Sequence, residues 1–216
     1  LEIISYNLSA QGYNVFTANN GLQAIKKAKK EQPQLIILDV MMPEMDGIEA
    51  CEHIRKIPEL QHTLITFFTA RGEDYSQVAG FEAGADDYIT KPIKPKVLVS
   101  KIKSLLRRLN TKIDSPSKDL IELEDLIIDR EAYKIIFKGE DVILPRKEFE
   151  LLALLAGKPG KVFLRNEILN QVWGYSEDPL TNVVDVYIAR LRRKIDTPGR
   201  EPLLETVRGH GYRLRA

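Results

Sequence analysis

The sequence predicts two folds in series, a doubly wound parallel α/β domain followed by a smaller α+β domain. Three observations predict this. Helix-period and strand-like segments alternate through the first half, the pattern of a parallel sheet covered on both faces. A polar stretch without periodicity, residues 110–118 with Pro116, then breaks the rhythm and reads as a linker. Beyond it, short strands precede three amphipathic helices and a glycine-rich hairpin at the C-terminus.

Element by element, Leu1, Ile4 and Leu8 have helical spacing and read as the end of a helix. Residues 13–18 are predicted to be a short strand, and Asn20-Gly21 marks a turn. Leu22, Ile25 and Ala28 continue as an amphipathic helix. Residues 34–39 hold Leu35-Ile36-Ile37-Leu38, an unbroken apolar run that suits a strand buried on both faces. Helix is predicted at 47–56, 76–83 and 95–108, and strand at 63–69 and 87–90. In the second half, 120–144 reads as short antiparallel strands with a turn at Lys138-Gly139-Glu140. Helices follow at 145–156, 165–173 and 182–195, and strands at 202–207 and 212–215 enclose Arg208-Gly209-His210-Gly211.

Charge sharpens this division. Lys plus Arg total 32 and Asp plus Glu 31, a near-neutral chain. Yet residues 114–150 carry 6 basic and 11 acidic side chains, whereas 182–216 carry 8 and 4. An anionic partner is therefore expected to bind late in the chain. A single cysteine, Cys51, excludes an internal disulfide and reads as a buried, inert thiol. No apolar run approaches the roughly 18 residues of a membrane span, and no signal peptide is visible, so a cytoplasmic protein without a membrane partner is expected.

The chemistry centres on Asp39, at the C-terminal end of a predicted parallel strand, the edge where open α/β sheets bind ligands. Thr69 ends the next strand, and Lys91, before Pro92, ends another. A carboxylate, a hydroxyl and an ammonium thus share one sheet edge. Asp39 can attack phosphorus to form an acyl phosphate. Lys91 and the Thr69 hydroxyl can pair with phosphoryl oxygens, and a divalent cation would offset the accumulated negative charge.

Here the sequence resembles a known family. Leu38-Asp39-x-Met41-Met42-Pro43-x-Met45-Asp46-Gly47, Thr69-Ala70-Arg71 and Gly84-Ala85-Asp86-Asp87-Tyr88-Ile89-Thr90-Lys91-Pro92 resemble the receiver signatures of two-component response regulators. The resemblance implies that Asp39 is the phospho-acceptor, Thr69 and Tyr88 the switch pair, and Lys91 the phosphate-pairing lysine. It implies Mg2+ as cofactor, bound by Asp39 and the Met41 backbone carbonyl together with acidic residues on a first strand. That strand is central in the family's five-stranded sheet. The sequence begins at Leu1, inside what resembles the first helix, so the strand is expected to be missing from the sequence as given. A sensor histidine kinase is the implied phosphoryl donor. The family's active members pair through the face made by residues 76–108. Asp87 and Lys101 match two of its cross-pairing positions, whereas Gln77, Ala83 and Val97 stand where charged partners are usual.

In the second half, residues 181–194 hold Val184, Ile188 and Leu191 at helical spacing, with Ile195 next in phase, which predicts one buried face. Tyr187, Arg190, Arg193 and Lys194 are expected on the other, a basic face suited to a major groove. Arg208 at the hairpin tip can enter a minor groove. Leu144-Pro145-Arg146-Lys147-Glu148-Phe149, Val172-Trp173-Gly174, Val184-Asp185-Val186-Tyr187-Ile188 and Val207-Arg208-Gly209-x-Gly211-Tyr212 resemble the winged helix-turn-helix effector of the OmpR/PhoB family. That resemblance implies double-stranded DNA as partner, with Arg190 the foremost base contact and Arg208 the wing contact. Tyr187, Arg192, Arg193, Tyr212 and Trp173 become phosphate or packing candidates, and the 174–181 loop a contact for RNA polymerase. Ala189, Asn182 and Val183 replace residues the family often uses on DNA.

The expected organisation is a receiver domain over 1–109, a linker over 110–118 and a winged-helix DNA-binding domain over 119–216. The expected function is a phosphorylation-regulated transcriptional regulator, not an enzyme, that dimerises on tandem DNA half-sites. The alternative is a constitutive DNA-binding regulator whose receiver does not signal. A small-molecule aspartyl-phosphate hydrolase would need a second Asp two residues after the nucleophile, where this chain has Met41.

Overall fold

The computed structural model describes residues 2–70, 74–110, 120–174, 182–196 and 201–215, with backbone only at 74–78 and 108–110. Contacts divide the chain into two compact units, Leu1–Lys112 and Ile113–Ala216. No helix among the described residues is long and apolar enough to cross a membrane.

In the first unit, helices α1 (Glu2–Ser9) and α2 (Gly21–Glu31) precede strand β1 (Leu35–Leu38). Helix α3 (Gly47–Arg55), strand β2 (Leu64–Ala70), helix α4 (Asp74–Ala83), strand β3 (Asp87–Lys91) and helix α5 (Pro95–Asn110) follow. Asn20 starts α2 by accepting the Gln23 amide, and Asp46 starts α3 by accepting that of Glu49. The strands form a parallel sheet in the order β1-β2-β3. On one face Leu8 of α1 and Leu98 and Ile102 of α5 close over Ile89, with Ile37 and Phe68 packed beside them. On the other, α3 meets α4, where the buried Cys51 thiol lies 3.6 Å from the Ala83 carbonyl.

A buried ion pair fastens this second layer. Arg55, the last residue of α3, pairs with Asp86 at 2.6 Å. It also donates to the carbonyls of Gly84 and Thr63 at 2.8 and 2.7 Å. Asp86 accepts the Ile65 amide at 2.7 Å, so one cluster joins α3, β2 and the turn into β3.

Residues 13–18 depart from expectation: they are not a strand. A strand exists only through a ladder partner, and among the described residues none lies beside this segment. Of the family's five strands, four are expected in this sequence, and three are paired among the described residues. Between 13–18 and β1 lies a cavity of about 610 Å³, lined by Tyr13, Val15, Leu35, Ile37, Phe68 and Ile102 among others.

The second unit opens with an antiparallel four-stranded sheet of β4 (Leu120–Leu123), β5 (Leu126–Asp129), β6 (Lys134–Phe137) and β7 (Glu140–Asp141). Helices α6 (Arg146–Ala156), α7 (Arg165–Trp173) and α8 (Val183–Ile195) follow, and β9 (Leu204–Val207) and β10 (Gly211–Leu214) form the terminal hairpin. A strand not read from the sequence, β8 (Phe163–Leu164), adds to the far edge of β10. Two residues are too few for a period-2 signal. Gly211 permits this pairing, because a Cβ there would lie 2.0 Å from the Phe163 carbonyl oxygen. The predicted linker beyond Asn110 and all of the 174–181 loop beyond Gly174 lie outside the described residues.

Candidate functional site

Asp39 follows β1, at the C-terminal edge of the parallel sheet. Lys91 ends β3, and the register that sets Ala70 beside Lys91 sets Thr69 beside Thr90. The predicted meeting is present: Lys91 Nζ donates to Asp39 Oδ2 at 2.5 Å. Both side chains are about a third exposed, 33% for Lys91 and 39% for Asp39, so the pair is open to a ligand from solvent. Asp39 Oδ1 accepts the Met41 amide at 3.3 Å, which holds the carboxylate against the loop. The lysine stem runs across Phe68, with Nζ 4.7 Å from the ring centre. Gly47 closes this loop: its N–H donates to Val40 O at 3.0 Å. A Cβ at Gly47 would lie 2.1 Å from the Asp39 carbonyl oxygen.

Thr69 is buried at the end of β2. Tyr88 is also buried, its ring edge-on to Phe81 at 5.9 Å. Lys101 of α5 donates to the Tyr88 carbonyl at 2.6 Å and pairs with Asp87 at 3.5 Å. Asp87 and Lys101, matched in the sequence to positions that pair between chains, here pair with each other. Val97 is 52% exposed, an apolar group on the outward side of α5.

Oxygen donors near Asp39 suit a hard cation, which needs only one or two carboxylates and keeps several waters. Asp39 and the Met41 carbonyl are a partial set. Among the described residues no cluster of three His, Cys, Asp or Glu could hold a metal.

In the second unit the exposed face of α8 differs from expectation. Tyr187 and Arg190 are buried, whereas Ala189, Arg193 and Lys194 are exposed. Tyr187 packs edge-on against Trp173 at 4.9 Å, and both lie in the core. Arg190 turns inward to Glu148 of α6, with Nη2 to Oε1 at 2.5 Å. Lys194 reaches the other oxygen of Glu148 at 2.6 Å. Glu148 is fully buried, and a buried carboxylate without a partner costs several kcal/mol. That penalty is what draws the two cations in. Its signal was present in the sequence: Glu148, Leu151, Leu152 and Leu155 share one helical phase, an acid within an apolar stripe.

Arg192 donates to the Leu204 carbonyl at 3.0 and 2.6 Å and to Thr206 Oγ1 at 2.8 Å, tying α8 to β9. Tyr212 is buried and donates to Asp185 Oδ1 at 2.6 Å. Burial pushes the Tyr212 phenol above its ordinary value, the bond to Asp185 adds to this, and the nearby Arg165 opposes it. Arg165 is raised chiefly by its own bond to Asp185. Arg208 and His210 are exposed at the hairpin tip around Gly209, whose φ of +74° suits glycine. Asp185 and Arg165 had no role legible in the sequence, because their partners are distant in the chain.

Two family profiles match the chain: the response regulator receiver domain over residues 1–103 and the C-terminal domain of transcriptional regulatory proteins over 139–214. Response regulator ArlR of Staphylococcus aureus is 42% identical over 214 residues, covering 99% of this chain and 94% of the relative. Among solved structures, a cysteine-to-serine mutant of RitR has a TM-score of 0.79 at 30% identity, over 99% of this chain and 93% of that one. A cysteine-to-aspartate mutant of RitR has a TM-score of 0.77 at 28% identity, over 99% of this chain and 93% of that one.

Proposed function

This chain belongs to the two-component response regulators of the OmpR/PhoB type, phosphorylation-regulated transcription factors, and from that premise we propose that Asp39 is its phospho-acceptor. The observation that carries this is the Lys91–Asp39 contact of 2.5 Å at a solvent-open sheet edge. A carboxylate oxygen of Asp39 attacks the phosphorus of a sensor kinase's phosphohistidine. A P–O bond forms, the P–N bond breaks, and the departing imidazole takes up a proton. Lys91 stabilises the charge gathering on the phosphoryl oxygens, and the Thr69 hydroxyl donates to one of them. Mg2+ would be held by Asp39 and the Met41 carbonyl, with acidic residues that the family carries on its first strand, and would supply further charge neutralisation.

In this reading residues 1–109 receive, 110–118 connect and 119–216 bind double-stranded DNA. Thr69 and Tyr88 carry the change outward, and the 76–108 face brings two chains together on tandem half-sites. Arg193 and Arg208 face outward and meet DNA directly. Arg190, Arg192, Tyr187, Tyr212 and Trp173 act by holding the helix and hairpin that present them. The 174–181 loop is the surface offered to RNA polymerase.

The test is intact mass after incubation with acetyl phosphate and Mg2+, beside Asp39→Asn. The expected result is one added phosphoryl group on the parent chain and none on the variant. Equal labelling of both would remove Asp39 from the role.

A further inference from the structure

We infer that Asp185, Tyr212 and Arg165 form a latch that sets the angle between α8 and the terminal hairpin before DNA arrives, and that Asp185 and Arg165 are positioning residues for DNA binding. This rests on the DNA-binding reading of the second unit. Three elements meet at one point. Asp185 lies in the first turn of α8, Arg165 begins α7, and Tyr212 is the second residue of β10. Asp185 Oδ1 accepts both the Tyr212 hydroxyl at 2.6 Å and Arg165 Nε at 2.8 Å. Arg165 Nη2 closes the triangle by donating to the Tyr212 oxygen at 3.2 Å, while its guanidinium lies 4.9 Å from the ring centre.

The other strand of the hairpin is held by Arg192, which donates to the Leu204 carbonyl and to Thr206 Oγ1 of β9; Thr206 faces Tyr212 across the hairpin, and the Arg192 guanidinium lies 5.9 Å from the Tyr212 ring centre. Asp185 and Arg192 are seven residues apart, two helical turns along one face of α8. With both of its strands held to α8, the hairpin is restrained from swinging away from that helix. The outward Arg193 and the tip residue Arg208 are thereby held at a set separation. Ordering lost in advance need not be lost on binding, so such pre-organisation raises affinity without touching the ligand.

An acidic side chain beside a DNA-binding helix allows a test whose two readings differ in sign. If Asp185 were a bystander, removing its charge would tighten binding by reducing repulsion of phosphates. The latch predicts the reverse. The probe is a duplex that the full chain selects from a random-sequence pool. Asp185→Ala should weaken binding to it by about tenfold, the scale of lost pre-organisation. Tyr212→Phe, which keeps the ring and removes only the hydroxyl, should do the same. In an Arg208→Ala background Tyr212→Phe should cost less than about twofold, because the hairpin then has little left to position.

In the free protein, both variants should speed amide hydrogen exchange at residues 204–207 and 211–214 and leave that of α6 unchanged. Tighter binding by Asp185→Ala would overturn the inference. So would an equal loss from Tyr212→Phe in both backgrounds, or unchanged exchange in the hairpin. Failure of the parent chain to enrich any duplex would strike at DNA binding itself, and hairpin exchange would then judge the latch alone.

Discussion

Several charged side chains are buried in each unit, Arg55 and Asp86 in the first and Arg146, Lys147, Glu148 and Arg190 in the second. Glu148 is the clearest case, fully buried and paired with both Arg190 and Lys194. Glu148→Gln removes the buried charge that Arg190 and Lys194 share and should destabilise the second unit by about 3–5 kcal/mol, the usual cost of breaking a buried pair. Urea denaturation would measure it, and a loss under about 1 kcal/mol would mean that the pair is peripheral. Tyr212 gives a titration prediction. Its folded value is raised, so its contribution to stability is complete below the unfolded value near 10 and is lost as pH rises through the folded one. Tyrosinate absorbance should show Tyr212 titrating late, as burial also makes Tyr133 do, and Asp185→Ala should bring only Tyr212 earlier. Asp39 and Lys91 were legible in the sequence, because the chemistry names the residue types and the strand ends place them together. Tyr187 and Arg190 were not. Tyr187, three residues after Val184 and four before Leu191, has the phase of the buried stripe, and its aromatic hydroxyl disguised it; Arg190 lies at the edge of that stripe, and only its tertiary partner Glu148 reveals that it points inward.

Elements were legible in proportion to their length and to how far they depend on distant partners. Helices α3, α5, α7 and α8 carry their periodicity within themselves and lie where the sequence placed them, to within a residue or two at their ends. The segment 13–18 has strand-like residues, yet its state depends on a neighbour in the sheet. β8 is too short to carry any pattern. Arg55 and Asp86, which tie α3 to the turn before β3, are 31 residues apart and were likewise invisible. Arg55→Met, similar in bulk but neutral, breaks the ion pair to the buried Asp86. It should cost the first unit about 3–5 kcal/mol and slow acceptance of phosphate only as far as the unit unfolds. Labelling with acetyl phosphate at low temperature should therefore stay near that of the parent chain, while thermal unfolding of the first unit falls.

The molecule as a whole carries two compact units, each with its own buried core. Calorimetry should resolve two transitions. Arg55→Met should lower one and Glu148→Gln the other, and a single transition moved by both would mean that the units unfold together. The charge asymmetry read from the sequence belongs to this scale, since the second unit joins an acidic front sheet to a basic helix and hairpin. Glu148 ties positions 190 and 194 of α8 to α6, so neither can be exchanged without repair elsewhere. Ala189 and Arg193, both exposed on α8, are not held by that carboxylate. A lineage, or a laboratory library, that re-aims this regulator at new promoters should therefore drift at 189 and 193 while keeping 148, 190 and 194 fixed as a frame.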